Sequence, residues 1–329
     1  MSESLSAGGA VAQRGAAAVA LDSRRKLQLA LGVVWLLDGI LQYQPFMFSK
    51  GFPQMLAGTA QDNPVLIASP ITWSAGLIGH HLAVFNAIFA TTQVALGLGI
   101  AWRPTVKITL AASVAWSLGV WWFAEGLGGV LAGSASPVNG APGAVIIYAL
   151  LAVLLWPADR DGAAPFVAGR AVGRRVAQAL WLLLWASLAF LVLQPASRAP
   201  RAVSGMISGM ASGQPGWLAW IDTHGASAFS GHGLLASIVL AVLLVIVACG
   251  TYLPSRAARA AIVLAIVLAA VIWLAEGLGG IFTGGGTDPN SGLLLALLAV
   301  AFWPGRAPWR PRLAQPQSRP QPATLARGA

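Results

Sequence analysis

A chain of 329 residues that is 57% hydrophobic and only 9% charged is not an ordinary soluble domain, because such domains carry about 25% charged residues. Its net charge of +10 invites a nucleic-acid reading, but the placement of the basic residues gives them another purpose. The single cysteine, Cys249, rules out an intrachain disulfide and a CxxC redox pair.

The apolar residues fall in blocks close to the roughly 20 residues that a helix needs to cross a bilayer. Residues 1–26 place their basic cluster after a weak Ala-rich stretch, so they read as a flexible cytoplasmic tail and not as a signal peptide. Eight membrane helices are predicted in chain order, at 27–48, 82–102, 105–128, 142–156, 177–196, 233–252, 258–281 and 291–304. A cytoplasmic linker covers 157–176, and the Pro/Arg-rich stretch 305–329 reads as a disordered cytoplasmic tail.

Charge orients this scheme. All but three of the 20 Lys and Arg residues fall on one side, the exceptions being Lys50, Arg198 and Arg201. The rich side is cytoplasmic by the positive-inside rule, which puts both termini inside. Trp102, Trp156 and Trp303 end spans on that side, as interfacial aromatics do. The expected setting is a bacterial plasma membrane, crossed several times. The basic residues face anionic lipid, so no nucleic-acid partner is needed.

The segment "WWFAEGLGG" at 121–129 has a near copy, "IWLAEGLGG", at 272–280. The same offset pairs Met55 with Met206, Pro64 with Pro215, His81 with His232, Trp122 with Trp273 and Asn139 with Asn290. The expected fold is therefore an all-α integral membrane protein made of two tandem four-helix bundles, 27–156 and 177–304. Four helices are an even number, so the repeat is parallel, with its axis along the membrane normal. The segments 49–80 and 197–231, on the extracytoplasmic side of the scheme, are expected to form short helices on or in the outer leaflet.

The motifs "LALGVVWLLDGILQ" and "TTQVALGLGIAWRPTVKITLAASVAW" carry a resemblance to the DoxX/DoxD-like membrane family. The resemblance covers the first half in outline. It implies a four-helix bundle with quinone-linked redox activity and a redox partner subunit. That family usually places an acid in the second span, where this chain has Gln93.

Few polar residues in the spans can carry chemistry. Asp38 lies mid-span with Trp35 and Gln42 on its face, and Leu188 occupies its place in the second half. It reads either as a hydrogen-bonded tie between helices or as a proton-handling or substrate-binding acid. Glu125 and Glu276 read either as parts of a helix terminator or as a paired acidic site facing out, with Trp122 and Trp273 covering them. His81 and His232 are expected at the same depth, so each Glu/His pair either ties helices together or contributes to a divalent metal site. A bis-His haem and soft-metal capture by Met47, Met55, Met206 and Met210 are the remaining metal readings. Two functions stay open: a quinone- or redox-linked membrane subunit, and a non-enzymatic transporter or binding scaffold for a small solute or metal ion at the outer face.

Overall fold

The computed structural model describes residues 23–160 and 164–305 and is built of helices, with no strand among those residues. Most of the two expected tails lies outside the described residues, as does the linker stretch 161–163.

Helix α1 (23–41) buries Leu27, Leu31, Val34, Trp35 and Asp38, a helical stripe, and leaves Val33 and Ile40 exposed. A hairpin of α2 (Gly51–Gly58) and α3 (Val65–His80) follows, then α4 (Leu82–Ala101) and α5 (Val106–Phe123). Residues 126–129 (GLGG) make a tight turn, and a loop leads to α6 (Ala144–Leu154). The linker carries α7 (Val167–Val172). The second half repeats the order with α8 (Arg174–Val192), α9 (Pro195–Arg198), α10 (Ala202–Met210), α11 (Gly216–Phe229), α12 (Gly233–Cys249), α13 (Ser255–Ala275) and α14 (Asn290–Ala301). The segments 49–80 and 197–231 are thus helical, as expected.

Among the described residues, five helices are long and apolar enough to cross a membrane: Leu82–Ala101, Arg103–Phe123, Arg174–Val192, Gly233–Tyr252 and Ser255–Ala275. By composition the chain is a multi-pass membrane protein. Helix α12 illustrates the lipid-facing pattern, with Leu234, Leu235, Ile238, Val242 and Val245 all exposed. Eight full spans are not seen. Helix α1 carries Arg24, Arg25 and Lys26 in its first turn and Asp38 inside. Helices α6 and α14 have 11 and 12 residues, and at 1.5 Å per residue each covers about half of a 30 Å hydrocarbon core.

The shortness of α6 and α14 has a physical reason. Both lie inside protein, with Ile147, Tyr148, Leu151, Leu294, Leu295 and Leu298 fully buried. The residues that would have lengthened them form the loops 130–143 and 281–289 instead. Irregular backbone is tolerated at membrane depth where protein encloses it or where it lines a cavity. These loops also lock the halves together. Val138 of the first packs with Val203, Ile207 and Ala226 of the second half. The Gln44 side-chain amide of the first half donates to the Gly286 carbonyl at 3.5 Å.

At the opposite end, Asp159 receives Arg24 at 2.5 Å and Arg170 at 3.0 Å, which ties α1 to the linker helix. Both arginines are buried.

The enclosed position of α6 predicts unequal costs along one helix. Leu151→Ala should lower stability by about 2–5 kcal/mol through the cavity it leaves. Val153 is 37% exposed, and Val153→Ala should shift stability by about 0.5 kcal/mol or less. Unfolding midpoints in mixed micelles would check this, and equal costs would contradict the placement.

Candidate functional site

The repeated AEGLGG segment closes the two longest helix–loop–helix connections. Past Glu125 the backbone turns left-handed for four residues, with φ of 57° at Gly126, 55° at Leu127, 67° at Gly128 and 70° at Gly129. The copy does the same, with 58° at Gly277, 53° at Leu278, 71° at Gly279 and 66° at Gly280. An L-residue pays about 1–2 kcal/mol for this conformation and glycine almost nothing, which is why three of the four positions are glycine. A side chain at Gly128 would run into the Pro142 carbonyl, and one at Gly279 into Pro289. The bare backbone lets the start of the next helix come in close.

That approach brings each glutamate to a helix N-terminus, where N–H groups lack intrahelical partners and the dipole favours negative charge. Glu125 Oε1 accepts the Val145 N–H of α6 at 3.4 Å. Glu276 accepts the Gly292 N–H of α14 at 3.1 Å and the Ser291 hydroxyl at 2.5 Å. Trp121 and Trp273 each donate an indole N–H, to Pro142 and Pro289 carbonyls respectively, both at 2.7 Å. At the end of α5, the Ser74 and Thr59 hydroxyls donate to the Phe123 and Ala124 carbonyls at 2.7 and 2.6 Å.

The tryptophan partner is Trp121, not Trp122 as the fixed offset predicts. The Glu125 N–H bonds to Val120, five residues back, whereas the Glu276 N–H bonds to Ile272, four back. One extra residue in the last turn of α5 therefore moves the register. Trp122 faces outward, 44% exposed, and stacks on Phe123. The fixed offset also fails beyond the loops. Val145 and Gly292 do the same work at a spacing of 147, because the second loop is four residues shorter. Asn139 lies in the loop turn Pro137–Asn139, while Asn290 starts α14.

Glu125 and Glu276 open onto one shared recess of about 740 Å³ between the halves. Asp62, Asn63, Gln214 and Asp288 also line it, together with a group of glycines. Asn63 and Gln214 stand 151 residues apart and behave alike. Asn63 Nδ2 donates to the Thr59 carbonyl at 2.9 Å, and Gln214 Nε2 donates to Gly277 at 2.8 Å. Each amide is oriented by donation to a carbonyl, which leaves its own oxygen buried and without a partner. Glu125 Oε2 is likewise buried and without a partner. Asp288 is engaged, with Oδ1 accepting the Asn290 N–H at 2.7 Å and Oδ2 the Thr287 hydroxyl at 2.9 Å.

Asp38 is 2% exposed and joins α1 to α6 by accepting the Tyr148 hydroxyl at 2.6 Å. Trp35 packs on the Tyr148 ring at 4.2 Å and donates to Ser113 at 3.1 Å. The helix-tie reading describes this geometry.

His81 sits at the corner between α3 and α4, and His232 begins α12. Both are exposed, and neither lines the recess that holds the glutamates. The glutamates and histidines therefore do not share this recess. Among the described residues, no group of three or more His, Cys, Asp or Glu is placed to hold a metal ion. Asp288, Asn63 and Gln214 were not singled out by the sequence, although the recurrence of a carboxamide before Pro64 and Pro215 was visible there.

No family model matches the chain, and no curated protein or solved structure matches it.

The glutamates lie just past the ends of their spans. Burial pushes the Glu125 and Glu276 carboxyls up to about 8, with Asp288 adding repulsion; donation from Ser291 and Gly292 offsets part of this at Glu276. A folded value raised above the usual 4.5 means that the folded state holds the extra proton. The resulting stability is fully present below that usual value and is lost as pH rises through about 8.

The wild-type melting temperature should fall between mildly acidic pH and pH about 9, and Glu276→Gln should flatten part of that fall; an unchanged slope would contradict the buried carboxyl. Gly128→Ala or Gly279→Ala should cost more than about 3 kcal/mol, because clash adds to the left-handed penalty, while Gly133→Ala should cost only about 1–2 kcal/mol. Gly133 also has positive φ but open space around it, so equal losses in thermal unfolding would show that backbone sign alone matters.

Proposed function

We propose that this multi-pass protein holds a small polar solute in the recess between its two halves, as a binding scaffold or transporter, and that the recess opens on the extracytoplasmic side of the plasma membrane. The observation that carries the reading is the set of three buried oxygens, on Asn63, Gln214 and Glu125, that have no donor. Buried polar groups are almost always paired, and each unpaired one costs free energy. All three residues line the recess, so a solute with N–H or O–H groups toward which these side chains turn would supply the missing partners. The volume lies within the range of small-molecule sites, and helix breaks at a repeat interface are where membrane carriers place them. Orientation follows from the basic residues, which gather at the other end.

The DoxX/DoxD-like reading would ask for a quinone site, and the recess does not fit one. Its walls are glycine, alanine, Met210 and polar side chains, and among the described residues no aromatic ring lines it to lie against a quinone head. The redox reading thus has no support from this site.

The full chain in detergent, challenged by thermal shift with amines, polyols, sugars and carboxylates, tests the proposal. At least one donor-bearing class should raise the melting temperature of the wild type. It should fail to do so for Ala132→Trp, where an indole on the recess wall fills the space. No response from any class, or the same response in the plugged variant, would overturn it.

A further inference from the structure

Resting on that reading, we infer that the solute is a small organic cation bearing N–H donors, a primary amine or guanidinium, and that Glu125 is its anchor. Among the described residues, four acids line the recess, namely Asp62, Glu125, Glu276 and Asp288, and no Lys, Arg or His does. With Glu125 and Glu276 protonated up to about pH 8 in the free protein, such a wall still favours a cation, which can displace those protons, over an anion, which has no base to meet.

The kind of cation follows from what else is on the wall. Quaternary ammonium ions are held against aromatic faces, and no Phe, Tyr or Trp lines this recess. A divalent metal needs several converging ligands, and among the described residues no such group exists. The recess offers separate oxygens that each lack a hydrogen, on Asn63 from one half and Gln214 from the other. An ammonium or guanidinium group carries several donors and no acceptor, so it matches them. Two such groups on one molecule would reach carboxamides on both halves.

The difference between the halves selects the anchor. Glu276 is saturated, because Ser291 and Gly292 both donate to it. At the corresponding place in the first half, Ala144 has no hydroxyl, and only the Val145 N–H reaches Glu125. Glu125 Oε2, buried beside Gly143, is left without a donor from the protein; burial keeps this carboxyl protonated up to about pH 8, and a cation brought to the recess would displace that proton. Gly143 is part of this arrangement, because a side chain there would displace that same oxygen.

Calorimetry on the full chain in detergent, with 1,4-diaminobutane, tetramethylammonium, glycerol and magnesium as probes, tests the inference. The diamine should bind, and the other three should not compete with it. Glu125→Gln should weaken the diamine by at least about tenfold, the usual scale for a hydrogen bond to a charged group. It keeps Oε1 for the α6 N–H, so folding should survive. Should that variant fail to fold, Asp62→Asn decides instead: it alters an exposed residue on the rim and should weaken the diamine by a smaller factor. Diamine binding that ignores both substitutions would overturn the inference. Binding of glycerol but not the diamine would overturn the cation class and leave the solute recess standing. Silence from every probe, together with no effect of Ala132→Trp in the wider panel, would remove both.

Discussion

A glutamate carboxyl set against the first turn of the following helix is the contact on which this architecture turns. Helices α6 and α14 are too short to be held by lipid matching, and their starts lie inside the protein. Their first N–H groups would be costly if left unpaired there. Glu125 and Glu276 meet them, but only because the chain reverses tightly enough after each glutamate. The left-handed GLGG turn does this, at a cost confined to Leu127 and Leu278, about 1–2 kcal/mol each. An indole N–H from Trp121 or Trp273 then fixes the proline carbonyl that precedes the helix. The same geometry that supports the short helices leaves space between the halves. The loops that cross over to the opposite half wall that space in.

The two halves use one frame for unequal ends. In the second, Ser291 donates to Glu276, and Glu276 and Asp288 accept N–H groups at the start of α14. In the first, Ala141 and Ala144 stand where Asp288 and Ser291 would be, and one glutamate oxygen is left over. Asp38 and Tyr148 have Leu188 and Leu295 as counterparts, so the extra polar pair also belongs to the first half. The start of α14 is thus closed by its own side chains, and the start of α6 leaves one buried oxygen without a donor.

Much of this was legible in the sequence, and the remainder was hidden for definite reasons. The apolar blocks, the recurrence of AEGLGG and the isolated Asp38 were all visible. The left-handed turn was not, since Gly-rich ends also suit ordinary helix stops. The tryptophan register could not be read from spacing, because a bond from Glu125 to Val120 adds one residue to the turn. A loop shorter by four residues hid the correspondence of Ala144 with Ser291. The histidines shared a position in the repeat with the glutamates but not a location, because the corners before α4 and α12 face outward. Asp288 stood in a polar loop with no periodic signal to mark it.

The proposed role of Glu125 as anchor rests on its half lacking the hydroxyl that occupies Glu276. Ala144→Ser restores that hydroxyl at the matching place, and thermal stability and diamine affinity measured on this one variant test the role most directly. A higher melting temperature together with weaker binding is expected, since the new donor and the ligand would compete for Glu125 Oε2. A variant that becomes more stable while binding the diamine as tightly as the wild type would contradict it.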